Sequence, residues 1–227
     1  MRIALTTIAT GRYIEFVPPL LDSASDFFLR EHDVTFHVFT DRDASNWAYS
    51  HYTFHERWPL VTLHRHRTLT DWFRRTDACE QYDYVFHCDS DMRFSTTVGD
   101  EILSDLVATI HPGFYGKRPA EFSYERRSES LACIKRGSGE RYYAGGFQGG
   151  ASQVYFAACR EIADRVSKDE HNGITAVWHD ESHWNRYLFE HPPTLELDPG
   201  YCYPESWTLP FERKILALDK DHAAMRA

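Results

Sequence analysis

The sequence predicts an α/β fold, a single domain over residues 1–227 with a mostly parallel mixed central sheet flanked by helices. Three observations predict it. Strand-like and helix-like periodicities alternate along the chain, the pattern of strands joined by helical crossovers. No repeat, low-complexity linker or shift of composition marks a boundary. A hydrophobic run, Tyr82–Cys88, passes directly into Asp89-Ser90-Asp91, beyond the carboxyl end of a strand, where α/β sheets bind ligands.

The elements follow in order. Ile3–Thr7 reads as the first strand, followed by a polar turn at Thr10-Gly11-Arg12. Leu20–Arg30 carries Leu20, Leu21, Ala24, Phe27 and Phe28 at amphipathic-helix spacing. Val34–Phe39 alternates as a strand, and Pro59–Leu63 reads as a weaker one. Thr68-x-x-Asp71 resembles a capping box and predicts a helix to about Gln81. Val98, Ile102, Leu106 and Ile110 predict a helix over 98–110, stopped by His111-Pro112-Gly113. Ser152–Val166 and Trp178–Glu190 are further helices. Ile215–Leu218 closes the regular structure ahead of a charged tail, Asp219–Ala227.

Composition excludes partners more than it names one. The net charge of −9 argues against non-specific nucleic-acid binding, which needs a basic field. No run of 18 apolar residues is present, so no transmembrane segment is expected. Met1–Thr10 has too short an apolar core for a signal peptide, so the expected location is cytoplasmic. Five cysteines without a CxxC pair disfavour a disulfide framework and a structural zinc site. There is no GxGxxG, no Walker A loop, no GxSxG and no HExxH.

Four segments carry chemistry. Asp89 and Asp91 suit a hard divalent cation bridging the protein to a diphosphate, although Asp also terminates strands for ordinary reasons of turn geometry. Tyr142–Gly150 holds four glycines within six residues, either a wall that a ligand approaches closely or a loop needing positive φ. Trp178-His179-Asp180-Glu181-Ser182-His183 groups an aromatic, two acids and two imidazoles at a helix start. Trp178 offers a flat face to a sugar ring, Asp180 can accept from sugar hydroxyls, and Glu181 can stabilise developing positive charge. The helix dipole alone would also favour acids there. A His179/His183 zinc pair, the basis of a metal hydrolase, lacks an identifiable third ligand. In the tail, Lys220, His222 and Arg226 supply local positive charge suited to a diphosphate, or form a solvated terminus.

Together these segments resemble glycosyltransferase family 6, the family of the histo-blood-group A and B transferases and the α-1,3-galactosyltransferases. The resemblance rests on Phe86-His87-Cys88-Asp89-Ser90-Asp91-Met92, His111–Gly116, Phe122-Ser123-Tyr124-Glu125-Arg126-Arg127, Tyr142–Gly150 and Asn172–His183, and it ends at Lys220 and Arg226. It implies a GT-A fold and metal-dependent transfer of GalNAc or Gal from a UDP-sugar to the 3-hydroxyl of a galactose-terminated glycan, in α-1,3 linkage with retention. Carried over by position, Ile8, Thr10, Tyr13, Arg74, Ser90, Ala144, Gly145, Gly146 and Asp180 would bind the donor. Asp89 and Asp91 would hold Mn²⁺ or Mg²⁺, and Glu181 would be the carboxylate nearest the reacting centre. His111, Ser123, Trp178 and Glu181 would line the acceptor subsite. Lys220 and Arg226 would neutralise the pyrophosphate as residues 219–227 close over the donor.

The resemblance also bears on specificity and origin. Residues at Gly113, Ala144 and Gly146 distinguish the two donors in the blood-group enzymes, and their small size here implies UDP-GalNAc over UDP-Gal. Some bacterial relatives carry NxN and work without metal, whereas Asp89 and Asp91 imply metal dependence. No anchor or stem precedes the first strand, which resembles the bacterial or phage members and implies a bacterial or phage-infected cytoplasm. A non-catalytic sugar-binding module of the same fold is the competing expectation.

Overall fold

The structure is a computed structural model and describes residues 1–43, 46 and 49–225. Its strands are β1 (Arg2–Ile8), β2 (Asp33–Thr40), β3 (Tyr49–Tyr52), β4 (Tyr84–Cys88), β5 (Met92–Phe94), β6 (Leu106–Ile110), β7 (Tyr143–Ala151), β8 (Leu195–Leu197), β9 (Tyr203–Pro204) and β10 (Ile215–Ala217). The helices are α1 (Val17–Phe27), α2 (Leu60–Leu63), α3 (Arg65–Thr76), α4 (Ala78–Gln81), α5 (Ser152–His171), α6 (His179–Glu190) and α7 (His222–Met225). Seven strands form one sheet in the order β3-β2-β1-β4-β7-β6-β8, and β5-β10-β9 form a smaller one. In the large sheet only the β4–β7 and β7–β6 pairs are antiparallel. The expected single-domain α/β architecture is therefore present.

The strand pleat sends alternate residues into two cores. Ala4, Val85, Leu106 and Ala108 face α3, α5 and α6, packing against Leu69, Trp72, Phe73, Tyr155, Ile162 and Trp184. Their neighbours Ile3, Leu5, Phe86 and Val107 face the other way, onto Leu20 and Phe28 of the α1 side and onto Phe94 and Ile215 of the small sheet. Both faces of the central strands are covered, so they read as continuous apolar runs rather than as alternation. No helix of the described residues is long and apolar enough to cross a membrane.

Several expected elements differ. The segment 98–110 is not a helix: Val98 bridges to Phe28, a short 3₁₀ turn spans Asp100–Ile102, and Leu106–Ile110 is β6. Apolar residues four apart satisfy a period of two as well as a helical one, and the β-branched Val107, Thr109 and Ile110 favour the strand. Pro59–Leu63 is helical rather than extended, because α2 leads directly into α3. The helix expected from Thr68 starts at Arg65 and breaks at Asp77, whose φ of 49° is left-handed. The helix expected over Leu20–Arg30 runs Val17–Phe27.

The glycine-rich segment is a strand, and its glycines serve two purposes. A Cβ at Gly149 would lie 2.4 Å from the Val85 carbonyl oxygen, and one at Gly150 would lie 2.2 Å from that of Asp105. These two glycines let β7 sit between β4 and β6. Along the β6–β7 pair the register jumps from Ala108↔Gln148 to Thr109↔Ala144. Gly145–Phe147 therefore bulges from the β6 side of the ladder, and the peptide groups of this excursion contact Arg65, Asp89 and Glu181.

Candidate active site

At the carboxyl ends of β1 and β4 a cavity of about 370 Å³ is lined by Ile8, Thr10, Tyr13, Asp89, Ser90, Asp91 and Lys220, all expected at a donor site. His55, Trp58, Arg65, His87 and His222 line it too. The Asp89 amide donates to the Gly146 carbonyl at 2.8 Å, so the strand end and the β7 excursion are joined by their backbones.

Arg74 is not part of this cavity. It is exposed on the outer face of α3, whereas Arg65, nine residues earlier, lines the cavity as a buried cation. Arg65 shares the buried face of α3 with Leu69, Trp72 and Phe73, at spacings of four, seven and eight, whereas Arg74 falls opposite. That an arginine lies in phase with the apolar stripe was the available signal. Arg65 is 5% exposed. It donates to Asp89 Oδ1 at 2.7 Å and to the Gly145 carbonyl, and it lies 3.3 Å from Asp180 Oδ2. Burial works against its charge, but Asp180 and Asp89 outweigh that and keep the guanidinium protonated. In return Arg65 lowers the Asp89 carboxyl against the opposing effect of burial.

Asp180 and Glu181 occupy the first turn of α6, where the dipole favours carboxylates. The turn is held in place by Asn185, which bridges the Tyr143 amide and carbonyl of β7 and also donates to the Glu181 carbonyl. Glu181 Oε1 accepts from the Tyr142 hydroxyl and Oε2 from the Gly145 amide, both at 3.0 Å. Burial is the main influence on both acids and raises each to about 7, with Arg65 opposing. A carboxylate poised near neutrality in a cleft is a common property of reaction centres.

Of the residues expected at an acceptor subsite, His111 and Ser123 lie beside Tyr142, the tyrosine bonded to Glu181. The His111 ring lies 5.6 Å from that of Tyr142, and Ser123 Oγ is buried beside the same tyrosine. Trp178, at the start of α6, is 48% exposed and free to present its face outward. Glu125, 3% exposed, ties this loop down by accepting from the amides of Arg126, Arg127 and Val177. His179 and His183 do not converge. His179 has a φ of 51° and packs its ring 5.0 Å from Trp58, while His183 is fully buried 3.6 Å from Asp169. The two imidazoles thus have separate partners, and the expected zinc pair of a metal hydrolase is not formed.

Lys220, His222 and Met225 of the tail line the cavity. Lys220 pairs with Asp91 and sits 5.9 Å from the Tyr13 ring centroid, and Arg12 donates to the Ala224 carbonyl at 3.0 Å. Arg226 lies outside the described residues. At Gly146 a Cβ would meet Cys202 Sγ and Met92 Sδ at 3.2 Å, and at Gly113 it would meet the His111 ring at 3.1 Å. Both glycines thus have a local packing reason to be small, beside any effect on a donor.

The glycosyltransferase family 6 model matches residues 1–227. Two rat relatives, histo-blood group ABO system transferases 1 and 2, are 37% and 36% identical over 99% of this chain, covering 68% and 71% of their own lengths. The human globoside alpha-1,3-N-acetylgalactosaminyltransferase 1 is 32% identical over the full chain and 69% of its own length. The order of strand end, β7 excursion and acidic helix start described above thus sits in a chain that belongs to glycosyltransferase family 6 and is a glycosyltransferase.

Proposed function

We propose that the chain transfers N-acetylgalactosamine, or galactose, from a UDP-sugar to the 3-hydroxyl of a galactose-terminated glycan, in α-1,3 linkage, with retention and with metal dependence. The reading is carried by Arg65, which lines the cavity with Asp89 and Asp91 and joins them to the acids of α6, pairing with Asp180 and sharing the Gly145 peptide with Glu181. The similarity to an α-1,3-N-acetylgalactosaminyltransferase supports the sugar and the linkage.

The donor set fits a hard divalent ion. Asp89 and Asp91 are oxygen ligands at a strand end, and Asp91 already attracts a cationic group, the Lys220 ammonium. Bound there, Mn²⁺ or Mg²⁺ would neutralise charge on the departing diphosphate.

The chain's own residues perform the rest. Ile8, Thr10 and Tyr13 hold the uridine, and Arg65 fixes Asp180 for the donor sugar hydroxyls. Lys220, and Arg226 beyond the described residues, balance the diphosphate as the tail closes. The bond from C1 to the diphosphate oxygen breaks and its electron pair leaves with UDP. The acceptor 3-oxygen then bonds to C1 from the same face, and its proton passes to the departing phosphate. Glu181, on the opposite side, stabilises positive charge at C1.

UDP-GalNAc and UDP-Gal offered in competition to a simple galactoside, with Mn²⁺ and with excess EDTA, test the proposal. The expected outcome is α-1,3 product with GalNAc preferred and no product in EDTA. Binding of sugars without transfer or donor hydrolysis would instead identify a sugar-binding module.

A further inference from the structure

Glu181 is held by two donors on different oxygens, and one of them, Tyr142, has so far no role. We propose that Tyr142 is a positioning residue that fixes the Glu181 carboxylate and ties it to the acceptor loop. The inference rests on Glu181 being the carboxylate beside the reacting carbon.

Tyr142 is 1% exposed, so its hydroxyl is shielded from bulk solvent, with Ser123 as its other close polar neighbour. It donates to Glu181 Oε1 at 3.0 Å, while the Gly145 amide occupies Oε2 at the same distance. One donor per oxygen sets the plane of the carboxylate as well as its position. With only the Gly145 amide left, the group could rotate about that single bond. Burial and the nearby Glu181 charge push the Tyr142 phenol upward, so it stays protonated and acts as a donor.

The ring is gripped by the loop that carries the acceptor residues. Its centroid lies 4.3 Å from Phe114, 5.3 Å from Tyr124 and 5.6 Å from His111. The His111 amide donates to the Tyr142 carbonyl at 2.9 Å. A shift of the acceptor loop therefore moves the phenol that aims Glu181. Around Glu181 the other charged or titratable groups include Arg65 from α3, Asp89 beyond β4, Asp180 on its own helix and Cys202 ahead of β9. The Tyr142 hydroxyl and the Gly145 amide are the two groups that hydrogen-bond its carboxylate oxygens and favour the ionised form.

The test is Tyr142→Phe in the full chain, with Tyr124→Phe as control, because the Tyr124 hydroxyl donates instead to the Arg141 carbonyl. Transfer is measured across pH. A hydrogen bond to a charged group, lost in the transition state, corresponds to a fall in kcat of roughly 10- to 100-fold. The donor KM is expected to hold, and the acid limb of kcat to move to higher pH. The control is expected to leave the acid limb in place. Tyr142 replaced by a fluorotyrosine keeps the ring and strengthens the donor, so the limb should move the other way, a readout that survives if the Phe variant folds poorly. Unchanged kcat and acid limb in both Tyr142 variants, in a chain whose wild type is active, overturn the inference alone. A wild type that neither transfers nor hydrolyses any UDP-sugar overturns the proposed function and this inference with it.

Discussion

Glu125 lies away from the reacting groups, and replacing it with Gln tests how the acceptor loop is held. Its Oε1 accepts from the Arg126 and Arg127 amides at 2.9 and 2.8 Å and from Arg127 Nε at 3.0 Å. Its Oε2 accepts from Arg127 NH2 at 2.5 Å and from the Val177 amide at 2.9 Å. Burial alone would raise the carboxyl, but these bonds outweigh it and hold it at about 2. A glutamine can still accept on one oxygen, but it turns an NH₂ toward the Val177 amide, donor against donor. Losing that bond and the charge costs about 3 kcal/mol, and the depressed carboxyl corresponds to a similar figure by linkage.

The sign follows from the depressed value. The unfolded chain holds the proton more tightly, so Glu125 contributes its full stability above the ordinary carboxylate range. That contribution is lost as pH falls toward 2. Urea denaturation of wild type and Glu125→Gln at a series of pH values should show a gap of about 3 kcal/mol at neutrality that closes in acid. Because Val177 precedes Trp178, the acceptor KM should rise while the donor KM holds. A gap below about 0.5 kcal/mol at pH 7, or one independent of pH, would refute the account.

Two further substitutions probe the site and the sheet. Arg65→Met leaves Asp180 buried without its partner and should lose about 3–5 kcal/mol of stability together with most donor binding, whereas Arg74→Ala should change neither. Thermal unfolding and UDP titration calorimetry separate the two, and equal effects would mean that Arg65 is not what holds Asp180 and the donor site in place. Gly149→Ala puts a methyl 2.4 Å from the Val85 carbonyl oxygen, so it should cost more than about 3 kcal/mol by denaturant melts even though it touches no site residue.

The architecture was legible where two signals coincided. Tyr84–Cys88 is apolar and ends in Asp89-Ser90-Asp91, and both its strand character and its position at the site follow from that. Leu106–Ile110 reads as helix because an apolar spacing of four belongs to both periods, and only the density of β-branched residues separates them. The family resemblance points to Arg74, whereas helical phase points to Arg65. Tyr142 lay inside a segment noticed for its glycines, and nothing in the local sequence distinguishes a tyrosine that aims Glu181 from one that only packs. Its role needs the distance between two segments that are 39 residues apart in the chain.

The β7 excursion has a practical consequence for mapping this enzyme. Gly145 reaches Glu181 with its amide and Arg65 with its carbonyl, and the Gly146 carbonyl receives the Asp89 amide. These contacts belong to peptide groups, so removing side chains one at a time passes over the centre of the site. Chemistry that edits the main chain would find it, such as an amide-to-ester exchange at residue 145 or deletion of one residue of the excursion.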